Sequence, residues 1–430
     1  YLNLRIEKYL AFMYSRGTEL QSMKINFLQK NQNKVDTGKP QAYLALDIGT
    51  EYVKTVLFTK NKESEIEVIG YNRKRQKESS MYAAFIINLK NVTDTLDYSI
   101  GECISMATES GVEFAMPTEA IIGIAGELVQ GVTVMVNSDR ETPNTAITEK
   151  EIEKLIEKVK KFTFPNTKEE IAEEIGIKPS LVEEVETYIN SVYIDGARVI
   201  NPLGYTGTEL VYRVFSTFAP KIYLDSINQV AKELNLTLKR IVVEPYAISL
   251  GVKDLRSNNS SAIVIDIGGG TTDVALIKNG DIVGTKMFAI GGGVFTKRVA
   301  KELNLSYEDA EQRKIEYSEG KLDKSQSADL NRAFTQDVKV WLTGIELCLE
   351  EFEEIEEYPA TIYLCGGGAL LPEIQEGLIT HPWLQLFNFK KYPKVNFIFP
   401  TNLRDIVDKT KSARMPADVA PLALARMILE

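Results

Sequence analysis

Two stretches of this 430-residue chain open alike, 47-DIGTEYVKTVLF-58 and 266-DIGGGTTDVALIKNG-280. Each places an aspartate at the end of an apolar run, then a glycine turn, then apolar residues in alternation, which is the pattern of strand, tight turn and strand. A single copy reads equally well as an ordinary glycine-rich hairpin. Two copies, each led by an acid, with a third glycine cluster at 365-CGGG-368, point instead to a ligand-facing loop used twice in one molecule.

Known phosphate loops narrow the reading. A dinucleotide fingerprint needs its glycines to open a helix, whereas Val274, Leu276 and Ile277 continue as a strand. A Walker A loop needs a Gly-Lys-Ser/Thr that is absent here. What remains is a β-hairpin whose glycine amides face phosphate, because glycine has no Cβ and accepts positive φ. Asp266 at the strand end would then hold a hydrated Mg²⁺.

The composition is that of a soluble folded protein, 44% apolar and 26% charged. A net charge of −10 argues against nucleic acid as the main partner. Cys103, Cys348 and Cys365 are scattered and lack metal-ligand spacing, as expected of reduced thiols in the cytoplasm. The single histidine, His381, leaves little scope for histidine-based triads or multi-histidine zinc sites and is expected to be structural. No apolar run is long enough to span a bilayer. Residues 1–40 carry seven Lys/Arg against three Asp/Glu, and 2-LNLRIEKYLAFM-13 would form an amphipathic helix, a docked tail or a membrane-surface contact. The chain starts at Tyr1, and Met23 is another possible start.

Strands are expected over 41–58 and 65–71, and a helix over 92–111 with Val92, Leu96, Ile100, Ile104 and Ala107 on one stripe. Glycine-broken strands follow at 119–136. Thr148 and Glu151 form a capping-box start for a helix over 149–162, and 166–186 reads as acidic and helical. Residues 188–220 read as strands with turns at Asp195-Gly196 and Asn201–Gly207. Helix 221–234, strand 238–245 and a short helix 246–251 lead to the second half. That half continues through helices at 294–303, 307–319 and 328–357, the strand-glycine-helix unit 361–378, a strand near 396–399 and a closing helix at 416–429.

These motifs resemble those of the actin-like ATPase superfamily. Asp47–Thr50 looks like its first phosphate motif, Asp266–Asp273 like its second, and 363-YLCGGGALLPEIQEGL-378 like its adenosine motif. Glu244 in 242-VVEPYAISLGV-252 is similar to the position that orients the attacking water in DnaK-type chaperones. Glu311 and Lys314 in 308-EDAEQRKI-315 are similar to the adenosine-contacting helix. The match runs over 43–429 in the expected order. Within the superfamily, the inserted module with 201-NPLGYTGTELVYRVF-215 resembles the 1C subdomain of the bacterial division actin FtsA. The pilus-assembly protein PilM is similar too, especially at 47-DIGTEYVK-54.

The resemblance implies an α/β protein of actin-like ATPase fold, two lobes of duplicated ribonuclease-H-like subdomains with an inserted β-rich 1C (SHS2) subdomain. It divides the chain into a basic extension (1–40), subdomain 1A (41–118 and 219–255), 1C (119–218), 2A (256–303 and 359–430) and 2B (304–358). ATP–Mg²⁺ would sit between the lobes. Gly49, Thr50, Gly268, Gly269, Gly270, Thr271 and Thr272 would cradle the phosphates, and Lys54 would offset their charge or simply face solvent. Asp47 and Asp266 would hold the Mg²⁺ through water, and Glu244 would polarise the attacking water or merely stabilise a helix start. Gly366, Gly367, Gly368, Glu311 and Lys314 would frame the adenosine, unless the last two form only a surface salt bridge.

The implied role is a nucleotide-gated, polymerising adaptor in bacterial cell division, at most a slow ATPase. It would bind the C-terminal peptide of the tubulin-like protein FtsZ, self-associate into filaments and touch the inner face of the membrane. In the FtsA family a C-terminal amphipathic helix binds the membrane, whereas this sequence stops at Glu430, so either the tail is truncated here or the anchor lies elsewhere, for which the basic N-terminus is the candidate. A PilM-like cytoplasmic adaptor binding a membrane partner's peptide is the second reading. A sugar kinase would need a sugar pocket and a general-base aspartate, and no segment resembles one. The acidic run 346-ELCLEEFEEIEEY-358 reads as a solvated helix face.

Overall fold

The computed structural model describes residues 38–430 apart from 83, 126–128, 200, 256, 258 and 353–354. The expected N-terminal helix at 2–13 lies outside the described residues. Strands β1 (Ala42–Ile48) and β2 (Tyr52–Lys60) form the first hairpin, with β3 (Ile66–Arg75) antiparallel to β2. After a small hairpin of β4 (Met81–Tyr82) and β5 (Phe85–Ile86) comes helix α1 (Leu89–Glu109), capped by the Asn88 side chain. Its apolar stripe of Val92, Leu96, Ile100, Cys103 and Ala107 is buried, and Gly70 permits the close fit, since a Cβ there would lie 2.4 Å from the Cys103 carbonyl oxygen.

Strand β6 (Glu119–Ile124) returns parallel to β1. The inserted module follows as β7 (Gln130–Asp139), α2 (Glu149–Phe162), α3 (Phe164–Ile175), β8 (Val182–Ile194), β9 (Ala197–Val199) and β10 (Glu209–Pro220). The chain then rejoins the first lobe through α4 (Lys221–Glu233), β11 (Thr237–Val243) and α5 (Glu244–Gly251). The second lobe contains β12 (Ala262–Ile267), β13 (Thr272–Lys278), β14 (Asp281–Phe288), α6 (Gly292–Leu303), α7 (Tyr307–Ser318) and α8 (Lys324–Glu350). It continues through β15 (Thr361–Cys365), α9 (Pro372–Thr380), α10 (Trp383–Leu386) and β16 (Lys394–Phe397) before β17 (Ile406–Asp408) and α11 (Val419–Arg426) end the chain.

The sequence repeat is a structural repeat. β1 lies antiparallel to β2 and parallel to β6, and β12 lies antiparallel to β13 and parallel to β15. The first sheet runs β11-β6-β1-β2-β3-β17 and the second β16-β15-β12-β13-β14-β7-β10-β8-β9. Helices α5 and α11 pack against each other, and their buried side chains join one hydrophobic core with residues of both sheets, including Ala262, Val264 and Ala275 of the second.

Several sequence expectations change here. The strand at 119–124, assigned to the inserted module, belongs to the first sheet because its central pairing partners are β1 and β11. The end of the stretch 359–430, assigned to the second lobe, crosses back. β17 pairs with β3, and Val419, Leu422, Ala423 and Leu424 are buried in the core that holds β1. The helical pattern of 166–186 stops at Ile175, where Gly176 adopts φ 72°, and from Val182 the chain is already strand because it pairs along β10. The long acidic helix spans 324–350 rather than 328–357. Thr148 caps α2 by accepting from the Glu151 amide, but the Glu151 carboxylate is taken by Arg140 at 2.7 Å, so the reciprocal half of the capping box is not made.

The module touches both lobes. Its β7 extends the second sheet by pairing Val132 and Gly131 with Gly284 and Thr285. Asp281, 2% exposed, accepts from Ser191 at 2.7 Å and pairs with Arg198 at 2.6 Å and Arg213 at 3.4 Å. Toward the first lobe, Arg240 meets Glu186 at 2.6 Å, and Tyr246 of α5 is stacked between Tyr188 and Phe215 at 4.1 and 4.9 Å.

Candidate functional site

The two acid-led turns face each other across a cleft of about 220 Å³ between the lobes. In the second turn the Gly268 amide donates to the Thr271 carbonyl, closing a tight hairpin. The amides of Gly292 and Gly293, at the start of α6, donate to the carbonyls of Gly268 and Gly269 and hold the loop down. Positive φ is not what these loop glycines supply. A Cβ on Gly269 would lie 2.3 Å from Glu51 Cγ, and one on Gly270 would lie 2.8 Å from Thr50 Oγ1, so the glycines let the two hairpins approach. Gly366 is the exception: its φ is 86°, and a Cβ would come within 2.2 Å of Asp266 Oδ1.

The register makes the two halves chemically unequal. Asp47 pairs with Lys54 across the first hairpin, and Asp266 pairs with Asp273 across the second. Lys54 Nζ donates to Asp47 Oδ2 at 2.7 Å and does not face solvent. Burial opposes the Lys54 charge, but Asp47, with Asp266 and Glu244 beside it, raises its pKa overall. Asp47, Asp266, Asp273 and Glu244 therefore share one floor with that single ammonium. Burial pushes Asp266 up to about 6, with Lys54 lowering it and Asp47 raising it. Burial and the Asp47 and Asp266 charges hold Glu244 well above the carboxylate range, and burial with Asp266 does the same to Asp273.

Glu244 is the first residue of α5, with Pro245 behind it, and no side-chain hydrogen-bond partner holds its carboxyl among the described residues. Gly123 makes room for it: a Cβ there would lie 2.5 Å from Glu244 Oε1.

A raised aspartate has a definite consequence for stability. The folded state binds the Asp266 proton more tightly than the unfolded chain, so stability falls as pH climbs from the ordinary aspartate value through about 6. Asp266→Asn is expected to raise ligand-free stability by roughly 1–3 kcal/mol at pH 7.5 and by much less at pH 4.5. Urea unfolding at both pH values checks this, and equal gains at the two would contradict it.

At the other end of the cleft, Lys314 lies 2.7 Å from Glu311, and both are buried, so the pair is not a surface salt bridge. Lys314 also donates to Thr296 Oγ1 at 2.8 Å and to the Gly292 carbonyl at 3.1 Å, tying α7 to the start of α6. Glu311 accepts from the Thr296 hydroxyl. Gly366, Gly367 and Gly368 line this end. Across the mouth, Tyr307 donates to Glu51 at 2.7 Å, and Arg75 pairs with Glu308 at 3.2 Å.

All the sequence-predicted site residues line the cleft except Thr272. Its hydroxyl is spent on structure, donating to the Ile290 carbonyl at 2.6 Å and accepting from the Trp341 indole at 2.9 Å. The sequence reading missed Glu51, Tyr52, Arg73 and Asp273 as lining residues, and Gly123 as the seat of Glu244. Asp273 had a signal, since it ends the same eight-residue frame as Lys54. His381 is structural, 2.6 Å from Glu346 and edge-on to Trp383. All three cysteines are free and buried.

Comparison with known proteins agrees with this architecture. Residues 263–379 match the family "Cell division protein FtsA". The chain is 24% identical over 362 residues to cell division protein FtsA of Streptococcus pneumoniae, covering 78% of this chain and 72% of that one. It is 25% identical over 281 residues to the Neisseria meningitidis FtsA, covering 64% of this chain and 62% of that one. Among solved structures, PilM from a PilM–PilN type IV pilus biogenesis complex superposes with a TM-score of 0.60 at 16% identity, covering 90% of this chain and 98% of that one. The chain is thus similar to FtsA over most of its length, and its fold is that of the actin-like ATPases.

Proposed function

We propose that the cleft binds ATP with Mg²⁺ and that the protein acts as a nucleotide-gated adaptor in bacterial cell division. The observation that carries this reading is the pair of acid-led hairpins, one from each lobe, meeting at a single cleft with a third glycine turn behind them. Amides at Gly49, Thr50 and Gly268–Thr271 would take the phosphates, and the Gly366–Gly368 turn with Glu311 and Lys314 would border the adenosine.

A divalent cation fits the floor chemically. Four carboxylates face one ammonium there, and burial has already pushed Asp266 up to about 6. Among the described residues no three such groups are placed to ligate a metal together. Asp47 and Asp266 would therefore hold Mg²⁺ through its waters, the arrangement this ion prefers. The bound ion would supply charge neutralisation at the phosphates. Glu244, with no side-chain hydrogen-bond partner among the described residues and seated on Gly123, would orient a water and, once a bound cation offsets the floor's negative charge and lowers its pKa, take up its proton.

Nucleotide bound by both lobes favours the closed arrangement by its differential affinity for it. In this reading closure promotes self-association and contact with the C-terminal peptide of a tubulin-like division protein. No helix of the described residues is long and apolar enough to cross a membrane, and a peripheral membrane contact is part of the proposal. ATP titration followed by sedimentation with and without ATP tests the gating, and pull-down with the division peptide tests the partner. The likeness to PilM favours one alternative, a pilus-type adaptor, and capture of a pilus-partner peptide with no division peptide retained would select it.

The latch at the mouth gives a further check. Removing the Tyr307 hydroxyl frees Glu51 without touching the phosphate loops' backbone. Tyr307→Phe is expected to speed nucleotide release by about 5–10-fold, the equivalent of one ordinary hydrogen bond of about 1 kcal/mol. Stopped-flow displacement of a fluorescent ATP analogue measures it, and an unchanged release rate rules the latch out.

A further inference from the structure

Three cations line the cleft, and two are already committed. Lys54 is bound to Asp47, and Lys314 is shared among Glu311, Thr296 and the Gly292 carbonyl. The third, Arg73, meets no carboxylate within ion-pair distance among the described residues. Its guanidinium instead lies 3.8 Å from the centre of the Tyr52 ring.

The sheet register explains why Arg73 faces the cleft. Asp47, Lys54 and Arg73 are directly opposed on β1, β2 and β3, so they form one cross-strand row on one face. Tyr52 lies two residues before Lys54 and shares that face, opposite Arg75. Arg75 is itself engaged by Glu308. Stacking fixes the plane of the guanidinium while leaving its N–H donors free, and a flat fork of donors matches phosphate oxygens.

We propose that Arg73, held flat by Tyr52, forms charge-assisted hydrogen bonds to the phosphate chain of a bound nucleoside polyphosphate and makes the cleft read phosphate charge. This rests on the nucleotide-binding reading above. It extends that reading, because none of the glycine motifs supplies an uncommitted positive charge. Lys54 keeps donors beyond the one it gives Asp47, but its charge is already offset there.

The test measures binding of Mg²⁺–ATP, Mg²⁺–ADP and adenosine to wild type, Arg73→Gln, Arg73→Lys and Tyr52→Leu by calorimetry. Urea midpoints confirm folding, which Arg73→Gln should leave alone because residue 73 is exposed. Arg73→Gln is expected to weaken ATP about 10–30-fold, ADP less, and adenosine not at all. Arg73→Lys should recover part of the loss, retaining charge without the fork, and Tyr52→Leu should weaken ATP several-fold. If wild type binds ATP and Arg73→Gln binds it equally well, or loses adenosine in the same proportion, this inference fails and the nucleotide reading stands. If wild type binds no adenine nucleotide, both fail.

Discussion

Glu244→Gln should lower ATP turnover by about 100-fold or more, the usual worth of a positioned base, while nucleotide affinity stays within about 3-fold. The substitution keeps the size of the side chain and its place at the start of α5, beside Gly123. It removes only the ability to take a proton. Glu244 has no side-chain hydrogen-bond partner among the described residues, so the amide would not break an existing contact. Single-turnover phosphate release, with a fluorescent-nucleotide titration on the same preparation, separates the two effects. Unchanged turnover would reduce Glu244 to a helix-start acid interacting with the dipole. Equal losses in affinity and turnover would make it a binding group.

Asp281→Ala is expected to destabilise the protein by about 3–5 kcal/mol, the cost of leaving buried charge unpaired. Asp281 is the acid on which Arg198, Arg213 and Ser191 converge, and it holds the inserted module against the second lobe. Among the described residues, the strand pairing at that joint only joins Gly284 and Thr285 to Val132 and Gly131. The loss should therefore concentrate at the joint: faster amide exchange over 130–139, with β12 and β13 still protected. Asp281→Asn should lose less, because it keeps an acceptor for Ser191. A loss below about 1 kcal/mol for the alanine variant would mean that water satisfies both arginines and the acid is not what docks the module.

Tyr246 places that joint close to the chemistry. It lies two residues after Glu244 on the same short helix, and its ring is stacked between Tyr188 and Phe215 of the module. The Asp281 variant thus also reports whether loosening the module disturbs Glu244.

The floor of the site was readable because its chemistry is local. Asp47 and Asp266 each end a buried strand, and the residue seven positions later, Lys54 or Asp273, returns opposite them by hairpin pairing alone. The Gly366–Gly368 turn was legible for the same reason, as a glycine run closing a strand. Thr272 falls outside the cleft lining, and its hydroxyl is bound by Trp341, which is remote in the chain. Arg73 and Gly123 were missed because neither sits in a motif: one reaches the cleft through strand register, and the other matters only for the Cβ it lacks.

By itself the sequence determined the two strand-turn-strand units, their acids and most of the helices, because hydrophobic period, glycine turns and caps act over a few neighbouring residues. Only the tertiary structure decided which lobe owns a segment. It returned β6, β17 and α11 to the first lobe, made β7 an extension of the second sheet, and turned 182–186 from an acidic helix pattern into strand. Those outcomes depend on which distant backbone offers hydrogen bonds and which core has room, and no stretch of neighbouring residues carries that information.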